Sequence, residues 1–160
     1  MISINKAIYL FVVILSIIGC GKDDFENSIS FKIDGEQYIG SYAELSINDV
    51  WGLDTILDLY CEFDFNPDGL HPEFLQITLS PFDEMKSEYL IDGQNRIFMY
   101  LHKNDGISYS ANPGTGIFSI EESADSKMKG SFECILSPLG ANSGSPVLTI
   151  TEGKFNLKRE

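Results

Sequence analysis

Asp64, Asn66 and Asp68 place side-chain oxygens at alternate positions, and Gly69 follows at a sharp turn. A calcium loop begins this way, because a hard cation collects several oxygens around a tightly folded backbone. The twelfth position counted from Asp64 is Leu75, where a bidentate Glu belongs, and Glu73 falls two short of it. Asn66-Pro67-Asp68-Gly69 is also a strong turn sequence, since Pro presets φ and Gly accepts positive φ. The turn is the simpler reading, and calcium held by Asp64, Asn66 and Asp68 is the weaker alternative. His71 and His102 are the only histidines, with no HExxH and no Cys/His cluster. Zinc would need ligands gathered from distant segments. Gly-x-Ser-x-Gly elbows and phosphate-binding loops are absent from the sequence, so serine hydrolysis and nucleotide hydrolysis lack their usual signal. No cofactor is implied and no catalytic residue is singled out.

Carboxylates are too numerous to select a glycosidase pair. Asp54, Asp58, Glu62 and Asp64 fall on one face of one segment, which reads first as a solvated outer face. A retaining or inverting pair is defined by its separation in space. The aromatic residues are more selective. Residues 96–103 alternate Ile97, Met99 and Leu101 with Phe98, Tyr100 and His102, so both faces are apolar or aromatic. One reading is a central strand covered on both sides. The other is an aromatic platform on an outer face, with Tyr60 or Tyr109 beside it and Trp51 as a further ligand contact from a loop.

These residues sit on elements whose period is two. Residues 28–34 place Ile29, Phe31 and Ile33 on one face, and Asp34-Gly35 is a two-residue hairpin signal. Residues 37–47 continue as a strand bent at Gly40. In 54–65, Leu57, Leu59, Cys61, Phe63 and Phe65 alternate with Asp58, Tyr60, Glu62 and Asp64; in 74–80, Leu75, Ile77 and Leu79 point inward. Residues 81–87 allow one helical turn. Further strands are expected over 96–103, 107–110, 117–122, 127–137 and 147–158, the last with a bulge at Gly153. Eight or nine short strands with regular turns imply an all-β, antiparallel β-sandwich, with a small closed β-barrel as the alternative.

The chain has 160 residues, 11 basic and 24 acidic, for a net charge of −13. That charge argues against nucleic acid, which needs a basic footprint, and against a basic patch docking on anionic lipid. It suits neutral ligands such as sugars, cations, or simple solubility.

The first residues, MISINKAIYLFVVILSIIGC, place Lys6 before an apolar run from Ala7 to Gly19. The run is shorter than the ~20 residues of a membrane-crossing helix and has the form of a signal peptide. Ile17-Ile18-Gly19-Cys20 resembles the bacterial lipobox, although Ile18 stands where Ala or Ser is commoner. That resemblance implies a diacylglyceryl group on Cys20 and cleavage before it. Residues 1–19 are then the signal peptide, 20–27 the lipidated cysteine and acidic tether, and 28–160 the β domain. The membrane is a partner through that lipid. Lys22, Asp23, Asp24 and Glu26 resemble the acidic export signal of surface lipoproteins in Bacteroidetes-type bacteria, which implies outer-membrane residence and outward display. The C-terminal third, with Gly130, Ser131 and Phe132 and then Ile150, Thr151, Gly153 and Phe155, resembles small uncharacterised β-sandwich lipoproteins of those bacteria. This family implies fold and location and brings no catalytic residues.

Lipidation of Cys20 leaves Cys61 and Cys134. In an exported chain they are either an inter-sheet disulfide or two free core thiols. The functional expectation is a non-catalytic, surface-exposed module binding a glycan or an envelope protein. A carboxylate-based glycoside hydrolase and a structural subunit of an envelope complex are the alternatives. Replacing Cys20 with Ser is expected to leave an uncleaved precursor that takes up no labelled fatty acid; continued processing and labelling would contradict the lipobox reading.

Overall fold

The computed structural model of the protein describes residues 27–40, 42–50, 54–63, 73–91, 96–103, 106–111, 115–124, 126–139 and 146–159. Cys20, Trp51, Asp64, Asn66, Asp68 and His71 lie outside these segments. The described strands are β1 (Ser28–Ile33), β2 (Glu36–Ile39), β3 (Tyr42–Val50), β4 (Asp54–Phe63), β5 (Glu73–Ser80), β6 (Glu88–Leu90), β7 (Arg96–His102), β8 (Ser108–Ala111), β9 (Ile117–Ala124), β10 (Lys127–Pro138) and β11 (Leu148–Lys158). All their pairings are antiparallel.

The all-β antiparallel expectation holds. The strands form one hydrogen-bonded sheet in the order β2-β1-β11-β10-β8-β7-β5-β4-β3, with β9 on β10 and β6 on β9. Pairing partners change at two places along this order. β2 pairs with β1 and β3 pairs with β4, on either side of Gly40. The Gly40 amide donates to the Ile29 carbonyl, and a β-carbon there would strike the Cys61 sulfur. Where a bend was expected, β2 ends at Ile39 and β3 begins at Tyr42, and the close approach of β4 leaves room only for glycine at position 40. Similarly, β8 and β9 lie end to end along β10.

Alternation fills a single core. Ile29, Phe31, Leu45, Leu57, Leu59, Phe63, Leu75, Ile77, Leu101, Phe118, Phe155 and Leu157 are fully buried. Phe118 stacks on Phe155 with centroids 5.1 Å apart, and Phe31 meets Phe63 edge-on at 5.3 Å. Gly130 faces Phe155 across β10 and β11, and a β-carbon on it would lie 2.6 Å from that ring. The ring occupies the space that any other residue would need.

Asp34 and Gly35 have φ of 49° and 91°, the two left-handed residues that a type I′ hairpin turn requires. The bulge expected at Gly153 centres on its neighbour. Glu152 has φ 52°, and both β1 and β10 shift register against this part of β11. Over 81–87, where one helical turn was expected, a single hydrogen-bonded turn forms, the Lys86 amide donating to the Asp83 carbonyl at 3.0 Å, and it does not extend into a helix. The Asp83 amide donates to the Tyr89 hydroxyl, which in turn donates to the Asp83 carbonyl. Both backbone groups are thereby held in a loop.

Cys61 and Cys134 are free, buried thiols, so the disulfide alternative is not realised. Each has its own surroundings: Cys61 lies against Gly40, and Cys134 donates to the Met99 sulfur at 3.0 Å. Burial pushes both thiols from 9.0 up to about 12, with the charges of Glu62 and Glu133 adding to the shift. The folded state thus holds these protons more tightly than the unfolded state. Their stabilising effect is complete below the ordinary thiol range and is lost as pH rises from 9.0 toward 12. An aqueous thiol reagent at neutral pH is expected to spare both cysteines in the folded protein and to label both in denaturant. Rapid labelling of the folded protein would contradict this placement.

Candidate functional site

The outer face of β3, β4, β5 and β7 carries the densest group of aromatic side chains outside the core among the described residues. Its composition follows from register. Tyr42, Glu62, Phe74 and His102 stand opposite one another in one row across the four strands. Glu44, Tyr60, Gln76 and Tyr100 form the next row. Because side chains alternate, both rows face outward while Leu59, Cys61, Leu75, Ile77, Met99 and Leu101 fill the core beneath.

The rings touch in sequence. Centroids are 6.5 Å apart for Tyr42 and Tyr60, 5.5 Å for Tyr60 and Phe74, 5.6 Å for Phe74 and Tyr100, and 5.5 Å for Phe74 and His102. The last three pairs lie 33°, 35° and 28° from parallel, whereas Tyr42 meets Tyr60 edge-on at 63°. Three inter-strand steps make the row about 15 Å long. Tyr42 is 51% exposed at one end, and Tyr60, Phe74, Tyr100 and His102 are half-buried.

Hydrogen bonds fix the polar edges. Tyr42 donates to Glu44 at 2.7 Å and Tyr60 donates to Glu62 at 2.9 Å. Tyr100 donates to the Ser108 hydroxyl at 2.6 Å, which also lies 3.0 Å from His102 Nδ1. In the next row Thr78 donates to Asp58 at 2.5 Å. Burial, reinforced by the bond to Glu62 and its charge, pushes the Tyr60 hydroxyl up to about 12. It therefore stays protonated and serves as a fixed donor. Apart from Arg96, which begins β7 and whose side chain lies outside the described set, the outward positions on β3, β4, β5, β7 and β8 carry no lysine or arginine, so the face around the rings is aromatic, hydroxylated and acidic.

The structure brings together three of the aromatic candidates read from sequence: Tyr60, Tyr100 and His102. Phe98 is opposite Thr78 in register, with its side chain outside the described set, and Trp51 is outside it altogether. Tyr109, read as a possible neighbour, is buried at 2% exposure and belongs to the core. Of the two readings of residues 96–103, β7 combines a central position with a half-exposed outer face. Phe74 and Tyr42 escaped the sequence reading. Each has the outward parity, visible from the buried Leu75 and Ala43 beside it. Their neighbours across the sheet depend on pairing order, which one strand's pattern does not carry.

A different wall holds the carboxylates that a glycosidase reading would need. Glu88, Glu133 and Glu152 line a cleft of about 270 Å³ with Ser119, Ser131 and Lys154. Lys32 holds Glu152 in an ion pair at 2.7 Å. Outside that cleft, on β9, the Glu122 carboxyl is drawn down by its hydrogen bond from Lys127. Among the described residues no three of His, Cys, Asp and Glu gather closely enough to hold a metal ion. No family profile, curated protein or solved structure matches the chain.

Proposed function

We propose that the protein is an exported lipoprotein, anchored in the outer membrane through Cys20 and facing outward, whose β domain binds a neutral glycan without cleaving it. The observation that carries the reading is the aromatic row from Tyr42 through Tyr60 and Phe74 to Tyr100 and His102. Sugar rings present apolar C–H faces that stack on aromatic rings, and hydroxyl edges that bond to carboxylates and hydroxyls. This face supplies both. Glu44, Asp58 and Glu62 accept from sugar hydroxyls, and Tyr60 keeps its proton to hold Glu62 in place. The carboxylates disfavour an anionic polysaccharide. A ligand lying across the strands, rather than entering a pocket, accords with a non-catalytic module.

The lipid anchor and acidic tether rest on Ile17 to Cys20 and on Lys22 to Glu26. The buried core residues among those described fall between Ile29 and Leu157, so a chain beginning after Asp24 keeps the whole described fold. A glycan-array screen with that chain is expected to select neutral oligosaccharides. Phe74→Ala should weaken the best of these about tenfold, the effect of losing roughly 1.4 kcal/mol of stacking. Met85→Ala, at an exposed site in the loop before β6, should leave binding unchanged. Binding unaffected by Phe74→Ala would overturn the platform, and turnover of a polysaccharide would favour the hydrolase alternative.

A further inference from the structure

The sheet separates its charges. Five of the chain's 11 basic residues, Lys32, Lys127, Lys129, Lys154 and Lys158, fall on β1, β10 and β11. Register again builds rows on the outer face. Ser28, Asn156 and Lys129 stand side by side across the three strands, and Ser30, Lys154 and Ser131 form the next row. Between the rows lies a cleft of about 350 Å³, with Ser28, Ser30, Lys129, Lys154 and Asn156 on its walls and Glu121 at one side.

Two features suit this cleft to a ligand. Lys32 and Lys127 are paired with Glu152 and Glu122. Lys129 and Lys154 have no carboxylate within 4.0 Å among the described residues, so neither ammonium group is tied up in a direct ion pair, although Glu122 stands opposite Lys129 and Glu121 lines the cleft. The Asn156 Oδ1 atom is buried and has no hydrogen-bond partner, a costly state for an amide oxygen unless a donor reaches it.

We infer that this cleft binds a phosphate group carrying a neighbouring hydroxyl, supplied by the glycerol-type headgroup of an anionic lipid in the membrane that anchors the chain. The phosphate sits between Lys129 and Lys154, with the Ser28 and Ser30 hydroxyls donating to it. One glycerol hydroxyl donates to Asn156 and the second, at the far side, to Glu121. This deepens the anchored-lipoprotein reading and rests on it for the source of the headgroup. Cys20 precedes Ser28 by eight residues, a reach of at most roughly 28 Å of extended chain, so the tether keeps the cleft near the bilayer. The net charge of −13 repels an anionic surface at long range. At physiological ionic strength that repulsion fades over about 8 Å, and the lysines act at contact.

The test is an NMR titration of the chain beginning after Asp24, which lacks the lipid. Its failure is separate from failure of the anchor, which fatty-acid labelling reads. The probes are glycerol 1-phosphate and vesicles of phosphatidylglycerol in phosphatidylcholine. Both are expected to act on the amides of Ser28, Ser30, Gly130 and Asn156. The Lys129→Glu/Lys154→Glu double variant, checked for an otherwise unchanged spectrum, should bind the vesicles roughly thirtyfold more weakly. Lys103→Glu should bind as the parent chain does. Effects spread evenly over all lysines, or undiminished in the double variant, would overturn the cleft. Effects from glycerol 1-phosphate with none from the vesicles would overturn the membrane headgroup as the ligand's source.

Discussion

The period of two along β4, β5 and β7 is the constraint on which the rest depends. A strand sends successive side chains to opposite faces, so one register assigns Leu59, Leu75 and Leu101 to the core and Tyr60, Phe74 and Tyr100 to the surface. A slip of one residue would exchange the two sets, exposing leucines and burying tyrosine hydroxyls and carboxylates. Burial of the core thus fixes the order of the aromatic row, and the binding face needs no stabilising device of its own. The same logic builds the basic wall, where buried Ile29, Phe155 and Met128 set the outward parity of Ser28, Asn156 and Lys129.

Curling the sheet onto one core demands places where backbone or ring can enter. Glycine supplies them at Gly40 against the Cys61 sulfur and at Gly130 under the Phe155 ring. The thiols follow from this geometry. Each is a small apolar group in a tight interior, and each is separately accommodated. Core closure and the reduced state of Cys61 and Cys134 are therefore two aspects of one packing arrangement.

Much of the fold was legible because its signals are local. The alternation in β1, β4, β5 and β10 appears directly in the sequence, and Asp34-Gly35 identifies its own turn. The break between β2 and β3 was visible as Gly40 inside an otherwise strand-like segment. Three features were hidden because their causes lie far away in the chain. β6 has only Glu88, Tyr89 and Leu90, too few to show a period, and exists because β9 offers an edge. The turn within 81–87 is local, but its docking is set by Tyr89, a residue of the next element. The placement of Phe74 between Tyr60 and Tyr100 depends on β5 pairing with both β4 and β7, which no single strand specifies. Tyr100 and His102 were found because the alternation of apolar and aromatic residues in their own strand is unusual.

The account turns on an aromatic surface that accepts sugar rings. Photochemically induced nuclear polarisation reads this directly, because a photoexcited dye in solution polarises only those tryptophan, tyrosine and histidine rings that it can touch. Tyr42 should give the strongest signal of the described tyrosines, with weaker signals from Tyr60, Tyr100 and His102, and none from the buried Tyr89 and Tyr109. Adding the neutral oligosaccharide selected on the array should extinguish the signals of Tyr42, Tyr60, Tyr100 and His102 together. Signals from these four rings that persist at saturating oligosaccharide would show that the sugar lies elsewhere and would contradict the account.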